Sequence, residues 1–493
     1  MPSLISRRSL LRSAATTSAA IAASTLVPGA VRRVLARPLD LTVERRVIEV
    51  GGKAASVFGI RGANDQPGLT LDPGERFLAN LANDSGEATI VHWHGQTPHY
   101  LQDGVAGQGR PLIAAGAVAA YDFAPRPGTH WMHSHHGLQE QLLMAAPLVV
   151  RSSEDLAADV QEAVVLLHDF TFRDPQEVLA ELTGGGAMGA MGHGGMPMGG
   201  MSMGGMSMGG MGNMPGMAMG GMTDLNDVAY DAYLANDRTL DDPLIVNAEP
   251  GGRVRLRVIN GASSSAFWID TGGLPGRIIA VDGNPVKPVT GTRFPLAMAQ
   301  RLDVIFDLPS DGGAFPILAT REGGRSRTGI IIATPGATVR KVSETAETEA
   351  GPVDLSLEAK LVAERGLEDR PIDVVHRVVL AGSMMPYAWT IGGSSWPDHR
   401  PLVVSSGRRV VIEMMNHSMM AHPMHLHGHH FQVIAINGTP LAGAVRDTVL
   451  VPAMATVAVA FDANNPGRWL FHCHNLFHME TGMMTEVVYD RLA

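Results

Sequence analysis

Three segments of this chain repeat one design. Gly74-Glu75-Arg76-Phe77 runs to Asn83, Gly251-Gly252-Arg253-Val254 to Asn260, and Gly407-Arg408-Arg409-Val410 to Asn416, each nine residues from glycine to asparagine. Between them apolar side chains alternate, as in Val254, Leu256 and Val258, which is the period of a half-buried strand opened by Gly and closed by Asn. A second element recurs as Tyr121-Asp122-Phe123, Phe306-Asp307-Leu308 and Phe461-Asp462-Ala463, followed by the turn glycines Gly128, Gly313 and Gly467. Copies of the first element lie 177 and 156 residues apart, so the chain of 493 residues is expected to hold three homologous domains in tandem. Short β-rich runs between Gly, Pro, Asn and Asp turns, with few helical stretches, make the expected class all-β, built of β-sandwiches. The expected divisions are a leader at 1–36, domains at 37–152 and 153–342, and a last domain at 343–493 that opens with a Glu/Thr-rich linker, Ser343–Ala350.

The histidines follow the repeat. Four His-x-His pairs occur at repeat-equivalent places, His92/His94, His133/His135, His425/His427 and His472/His474, where chance at this histidine content gives about one. His92 and His425 each lie nine residues after the closing Asn, and His133 and His472 each lie five after the turn Gly. The corresponding middle positions, Ile269 and Leu318, are apolar. In a strand, residues i and i+2 share a face, so each pair presents two imidazoles side by side. Four pairs from two related domains can converge on one interface and offer eight nitrogen ligands; a single pair would more often be a solvated or satisfied couple, but four in register form a metal site.

The last domain adds a second constellation. The chain has one cysteine, Cys473, so no internal disulfide can form. Cys473 lies between His472 and His474 and points to the opposite face of its strand. With His422 and His478 it supplies two imidazoles and a thiolate, and Met483 is at hand as a weak axial thioether, the ligand set of a blue-copper electron-transfer site. Zinc also accepts Cys and His, but it has no redox chemistry, and a structural zinc site leaves eight further histidines unexplained.

Ser6-Arg7-Arg8-Ser9-Leu10-Leu11, followed by the small, weakly apolar run Ala14–Val27, has the pattern of a twin-arginine export signal, with cleavage expected between Ala30 and Ala36. No run of 18 apolar residues follows, so the mature chain is expected to be free of membrane spans. A formal net charge of −10 without a Lys/Arg block argues against nucleic acid as a partner. Both halves of the histidine cluster lie in one chain, so a monomer is expected.

The motifs His92-Trp93-His94-Gly95, His133-Ser134-His135, His422-to-Gly428 and His472-to-Met483 together resemble the three-domain multicopper oxidases, above all bacterial laccases and the periplasmic cuprous oxidases of copper resistance. The resemblance spans essentially all of the mature chain. It implies three cupredoxin-like Greek-key β-sandwiches and four copper ions. By position, His422, Cys473, His478 and Met483 resemble the type 1 ligands. His92 and His425 resemble those of type 2, and His94, His133, His135, His427, His472 and His474 those of the type 3 pair. The implied reaction passes four single electrons through Cys473 to dioxygen, giving two waters. Asp103, eleven residues after His92, matches the family's carboxylate near type 2 and is the candidate general acid, although Asp103-Gly104 is also a good turn pair. Many bacterial members carry Glu directly after the last type 1 histidine; Met479 stands here, with Glu480 one place later.

Residues 184–222 hold 13 of the 28 methionines and 17 glycines, largely as Met-x-Met-Gly-Gly with a five-residue period. That period fits neither helix nor strand, so a flexible loop is expected. Thioethers select Cu(I), which makes the run a candidate cuprous-ion feeder; a passive linker is the alternative. Met420 matches a substrate-copper ligand of the cuprous oxidases, with Ser418 in place of the neighbouring Asp. Met419 and Met424 are expected to pack, and His99, His130, His136, His429 and His430 are given no metal. Three functions remain: a cuprous oxidase that also oxidises phenols and aromatic amines, a phenol-directed laccase, and a copper-sequestering binding protein. Copper nitrite reductase fits less well, because a two-domain subunit would lack the middle domain.

Overall fold

Buried asparagines explain why the repeat ends as it does. In the computed structural model, which describes residues 38–62, 66–184 and 225–491, the amides of Asn83, Asn260 and Asn416 do one job. Each Oδ1 accepts from the backbone N–H two residues on, at 3.1, 3.0 and 2.8 Å, from Ser85, Ala262 and Ser418. Each Nδ2 donates to carbonyls of the turn beyond and of a crossing segment: Glu87 and Ile113, Ser265 and Leu296, Met420 and Val451. The asparagine thereby pins the end of one strand against the start of the next, and a buried polar side chain is fully paired.

The chain folds into three tandem cupredoxin-like Greek-key β-sandwiches, each made of two sheets. Each first sheet contains a parallel pair: Leu39–Val50 with Phe77–Asp84, Gln161–Phe170 with Arg253–Asn260, and Val374–Met384 with Arg409–Asn416. Each second sheet contains another: Leu69–Leu71 with Ala145–Val150, Ile245–Asn247 with Gly324–Ala333, and Leu402–Val404 with Met484–Tyr489. Neighbours in each sheet are therefore often distant in sequence, as Greek-key crossovers require. Three apolar cores correspond, around Phe77 and Trp93, around Phe267 and Phe306, and around Phe461 and Trp469.

The repeated strand is half-buried only in the first sandwich. Phe77–Asp84 alternates as expected, but Arg253–Asn260 is buried from Val254 onward. Its would-be outer face carries Arg255 and Arg257, which meet Asp303 at 2.5 and 3.0 Å, and Arg257 also reaches Thr129 of the first sandwich at 2.9 Å. Packing of one sandwich on another buries these charges, and paired acids make that burial tolerable. The Glu/Thr-rich run is not a free tether either: Thr345–Ala350 pairs antiparallel with Gly324–Ala333 as an edge strand.

The second and third sandwiches are further joined beside the methionine-rich run. The helix Pro175–Thr183, with Asp174 as its N-cap, sends Val178 and Leu182 into the apolar core of the third sandwich, and Val228 joins them. The proposed export signal and residues 185–222 of the methionine-rich run lie outside the described residues. No helix among the described residues is long and apolar enough to cross a membrane.

Candidate metal centres

The four His-x-His pairs converge at the interface of the first and third sandwiches. Antiparallel pairing sets His92 opposite His133 and His425 opposite His472, so each sandwich aligns its own histidines by strand register. Across the interface the rings of His94 and His425 stack at 3.8 Å and those of His92 and His427 lie at 3.9 Å. His94, His133 and His474 form one trio, with ring centroids 5.0–5.6 Å apart. His135, His427 and His472 form another.

The rings are held from outside and open toward the inside. His92 Nδ1–H donates to the Asp103 carbonyl at 2.9 Å, His425 Nδ1–H to the Asp447 carbonyl at 2.9 Å, and His472 Nδ1–H to the Cys473 carbonyl at 2.9 Å. His427 Nδ1 reaches the Asp103 carboxylate at 2.8 Å, and His94 Nε2 reaches Asp447 at 3.0 Å. Nε2 of His92, His133, His135, His425 and His474, and Nδ1 of His94, are buried without any hydrogen-bond partner. The remaining two, Nε2 of His427 and of His472, face each other at 3.0 Å. Unpaired buried nitrogens are costly; six of them, with the two that face each other, turned toward one space fit metal ions. Burial, reinforced by neighbouring imidazoles, holds His133, His135, His425, His427 and His474 well below the usual histidine range, and burial brings His472 to about 4. They are neutral at physiological pH, as ligation requires.

Of the second constellation, His422, Cys473 and His478 come together. Cys473 Sγ lies 3.7 Å from Nδ1 of His422 and of His478, and those nitrogens are 3.1 Å apart. Met483 is fully buried in the same core, its carbonyl accepting from Cys473 N at 3.0 Å. Burial pushes the Cys473 thiol well up, so a bound cation is what makes it a thiolate. The chain links this group to the histidine cluster through one peptide bond on either side of Cys473.

Three segments, 42–155, 161–339 and 369–492, match the multicopper oxidase family. The chain belongs to the multicopper oxidases. A curated relative, multicopper oxidase MmcO of Mycobacterium tuberculosis (strain ATCC 25618 / H37Rv), is 32% identical over 96% of this chain and 90% of that protein. Copper resistance protein A homolog of Pseudomonas syringae pv. tomato (strain ATCC BAA-871 / DC3000) is 26% identical over 91% of each chain, and laccase-2 of Podospora anserina is 25% identical over 91% of this chain and 75% of that one. Among solved structures, Fet3p, a multicopper oxidase that functions in iron import, aligns with TM-score 0.73 at 18% identity over 92% of this chain and 90% of that one. As a multicopper oxidase this chain is an oxygen-using oxidoreductase whose cofactor is four copper ions, one of type 1, one of type 2 and a type 3 pair.

Around these centres the oxidase has partners that sequence reasoning missed. Asp447 takes both guanidinium nitrogens of Arg301, and a second pair, Arg446 with Asp282 at 3.0 Å, lies behind it. Burial alone would raise the Asp447 carboxyl, but Arg301 holds it well below the usual range. Glu140 lies 2.8 Å from His133 Nδ1; burial, aided by Asp169, pushes its carboxyl well up in the metal-free chain. Asp227 Oδ1 lies 3.3 Å from His478 Nε2, and Trp389 lies over the His478 ring at 3.9 Å. None of these has a spacing signal, although Asp227 lies five residues beyond the methionine-rich run and Glu140 five residues beyond His135.

Several expected residues take other roles. Ser418 Oγ is 2.7 Å from His422 Nε2, and Met420 is buried beside it. Met424 packs fully buried, but Met419 is 49% exposed and fills no core, because it lies on the turn between the strands that hold Asn416 and His422. Asp103 follows a short 3-10 turn, Tyr100–Gln102, whose N-cap is His99. His430 donates to the Gly95 carbonyl at 2.8 Å, and His429 bonds the Tyr489 hydroxyl at 2.8 Å. Met479 is buried in the apolar core, while Glu480 is exposed.

Proposed function

We propose that this multicopper oxidase is a cuprous oxidase of copper tolerance, exported by the twin-arginine route, that also oxidises phenols and aromatic amines. The carrying observation is where the described residues on either side of the methionine-rich run pack. Val178 and Leu182 before it and Val228 after it pack in the core that contains Cys473 and Met483, and Asp227 contacts His478. Thioethers gathered there would be tethered beside the electron-accepting group. The copper-resistance relatives are consistent with that substrate.

In this reading His422, Cys473, His478 and Met483 hold type 1 copper, and His92 and His425 hold type 2. His94, His133 and His474 hold one ion of the type 3 pair, and His135, His427 and His472 the other. Copper bound in these places supplies one-electron transfer and the four-electron reduction of dioxygen to two waters. The chain does the rest. Asp227 and Ser418 fix the outer nitrogens of His478 and His422, so each ring keeps its inner nitrogen for the metal. Cys473 joins the two centres covalently. Asp103 holds His92 by its carbonyl and His427 by its carboxylate, within reach to hand on the protons that water formation consumes.

The test is initial oxygen consumption by copper-loaded protein on Cu(I) and on a substituted phenol, with and without residues 184–222. Deletion should sharply lower turnover on Cu(I) and spare or raise it on the phenol. Rates unchanged on both substrates would remove the cuprous-oxidase reading and leave a phenol-directed laccase.

A further inference from the structure

Each imidazole at the interface has to be held by its outward nitrogen while its inward nitrogen binds, and the outward partners differ in kind. Backbone carbonyls hold His92, His425 and His472, and the Ser134 carbonyl takes part for His133. Asp103 holds His427, and Asp447 holds His94. The remaining trio members, His133 and His474, come from sandwiches more than three hundred residues apart in sequence, yet both turn Nδ1 to one side chain. His133 Nδ1 is 2.8 Å from Glu140 Oε2 and 3.0 Å from the Ser134 carbonyl, and His474 Nδ1 faces Glu140 Oε1 at 3.8 Å, beyond hydrogen-bond distance.

Glu140 is 3% exposed, and its Oε1 has no hydrogen-bond partner. An acid so placed needs a reason to be there, because burying it unpaired is unfavourable. Its backbone is firmly set. The neighbouring Gln139 accepts from Thr89 Oγ1 and Ser134 Oγ, both at 2.7 Å, and donates to Glu87 at 2.7 Å and to the Ala88 carbonyl at 2.9 Å. On the other side Gln141 Oε1 accepts from Tyr230 and Ser263, each at 2.8 Å. The turn is thus braced on both flanks, and the carboxylate between them has no freedom to swing to solvent. The helix Leu476–Glu480 offers no rival, since Met479 is apolar and Glu480 is exposed.

We propose that Glu140 is a positioning residue of the copper cluster: Oε2 accepts from Nδ1–H of His133, a proton shared with the Ser134 carbonyl, while the unpaired Oε1 faces Nδ1 of His474, and the carboxylate so keeps both Nε2 nitrogens turned to the type 3 copper that His94 completes. One carboxylate then sets the alignment of the first sandwich against the third at the metal. The inference rests on the ligand assignment proposed above and is independent of the reductant.

The test compares Glu140→Gln, Glu140→Ala and His133→Ala in copper-loaded full-length protein. Total copper per chain, the fraction of oxidised copper detected by electron paramagnetic resonance, and turnover are read together. Two strongly coupled Cu(II) ions are silent, so in the parent half of the four ions should be detected. Glu140→Gln keeps the volume but turns an N–H donor toward one of the two Nδ1–H groups. It should raise the detected fraction above one half and lower turnover about 10- to 100-fold, as loss of a partner behind a ligand does; Glu140→Ala should do more. Glu140→Gln with four coppers, half of them detected, and unchanged turnover overturns the proposal. His133→Ala with four coppers and the parent's detected fraction would instead overturn the ligand assignment beneath it.

Discussion

Asp227 Oδ1 and His478 Nε2 lie 3.3 Å apart and 251 residues apart in sequence, wholly buried. Asn475 at 2.6 Å and Tyr387 at 2.8 Å also donate to Asp227. Burial alone would raise this carboxyl, but His478 and the two donors hold it below the usual range, so it is an anion beside the group that receives electrons. An anion there favours the more positively charged, oxidised copper.

Replacing that anion should make the centre easier to reduce. Asp227→Asn is expected to raise the type 1 potential by roughly 60 mV, a tenfold change for a one-electron couple. A spectroscopic redox titration checks it, and an unchanged or lower potential would show that the charge is not felt at the copper.

Asp103→Asn should act on the dioxygen side alone. Turnover is expected to fall about 100-fold, within the range for a lost proton donor or a lost partner behind a ligand. Anaerobic reduction of type 1 copper, followed by stopped flow, should keep the parent's rate, since Asp103 contacts His92 and His427 and not Cys473.

Cys473→Ser removes the only thiolate and leaves the eight inward imidazoles intact. Metal analysis should give three coppers in place of four, with loss of the intense visible colour and of oxygen uptake on any reductant. Retention of all four ions would mean that His422, His478 and Met483 suffice.

A stability prediction comes from Glu322, which is far from the copper ligands in sequence and accepts from Val353 N at 2.7 Å. Burial raises its carboxyl from 4.5 to about 7, so the folded chain prefers the protonated form. Its contribution is therefore complete below pH 4.5 and is lost as pH rises to about 7, amounting to about 3 kcal/mol. Glu322→Gln should remove that part of the slope: thermal midpoints compared at pH 5 and pH 8 should differ less in the variant than in the parent.

Which of these residues could be read from the sequence depended on whether their neighbours are local. The His-x-His pairs were legible because strand periodicity alone puts i and i+2 on one face, and the repeat set their register twice over. Cys473 was legible for the same reason, by opposition to its neighbours. Asp447 and Asp227 were not, because each works through a contact across a sandwich interface: Asp447 with Arg301 over 146 residues, Asp227 with His478 over 251; Glu140 was not, because the turn that folds it back onto His133 has no sequence signal. The Arg253–Asn260 strand misled in the same way. Its alternation signals a wet outer face, and the first sandwich together with Asp155, Glu162 and Asp303 dries it.

The strand order has a consequence for truncated chains. The trios of nitrogens draw on His92–His135 at one end of the chain and His472–His474 at the other, and Arg468–Cys473 is the penultimate strand. A chain without that strand and His474 has six of the eight imidazoles, and each trio lacks one member. The cluster is therefore complete only once that strand is in place, and a chain clipped before Arg468 loses the thiolate and both trios at a single cut.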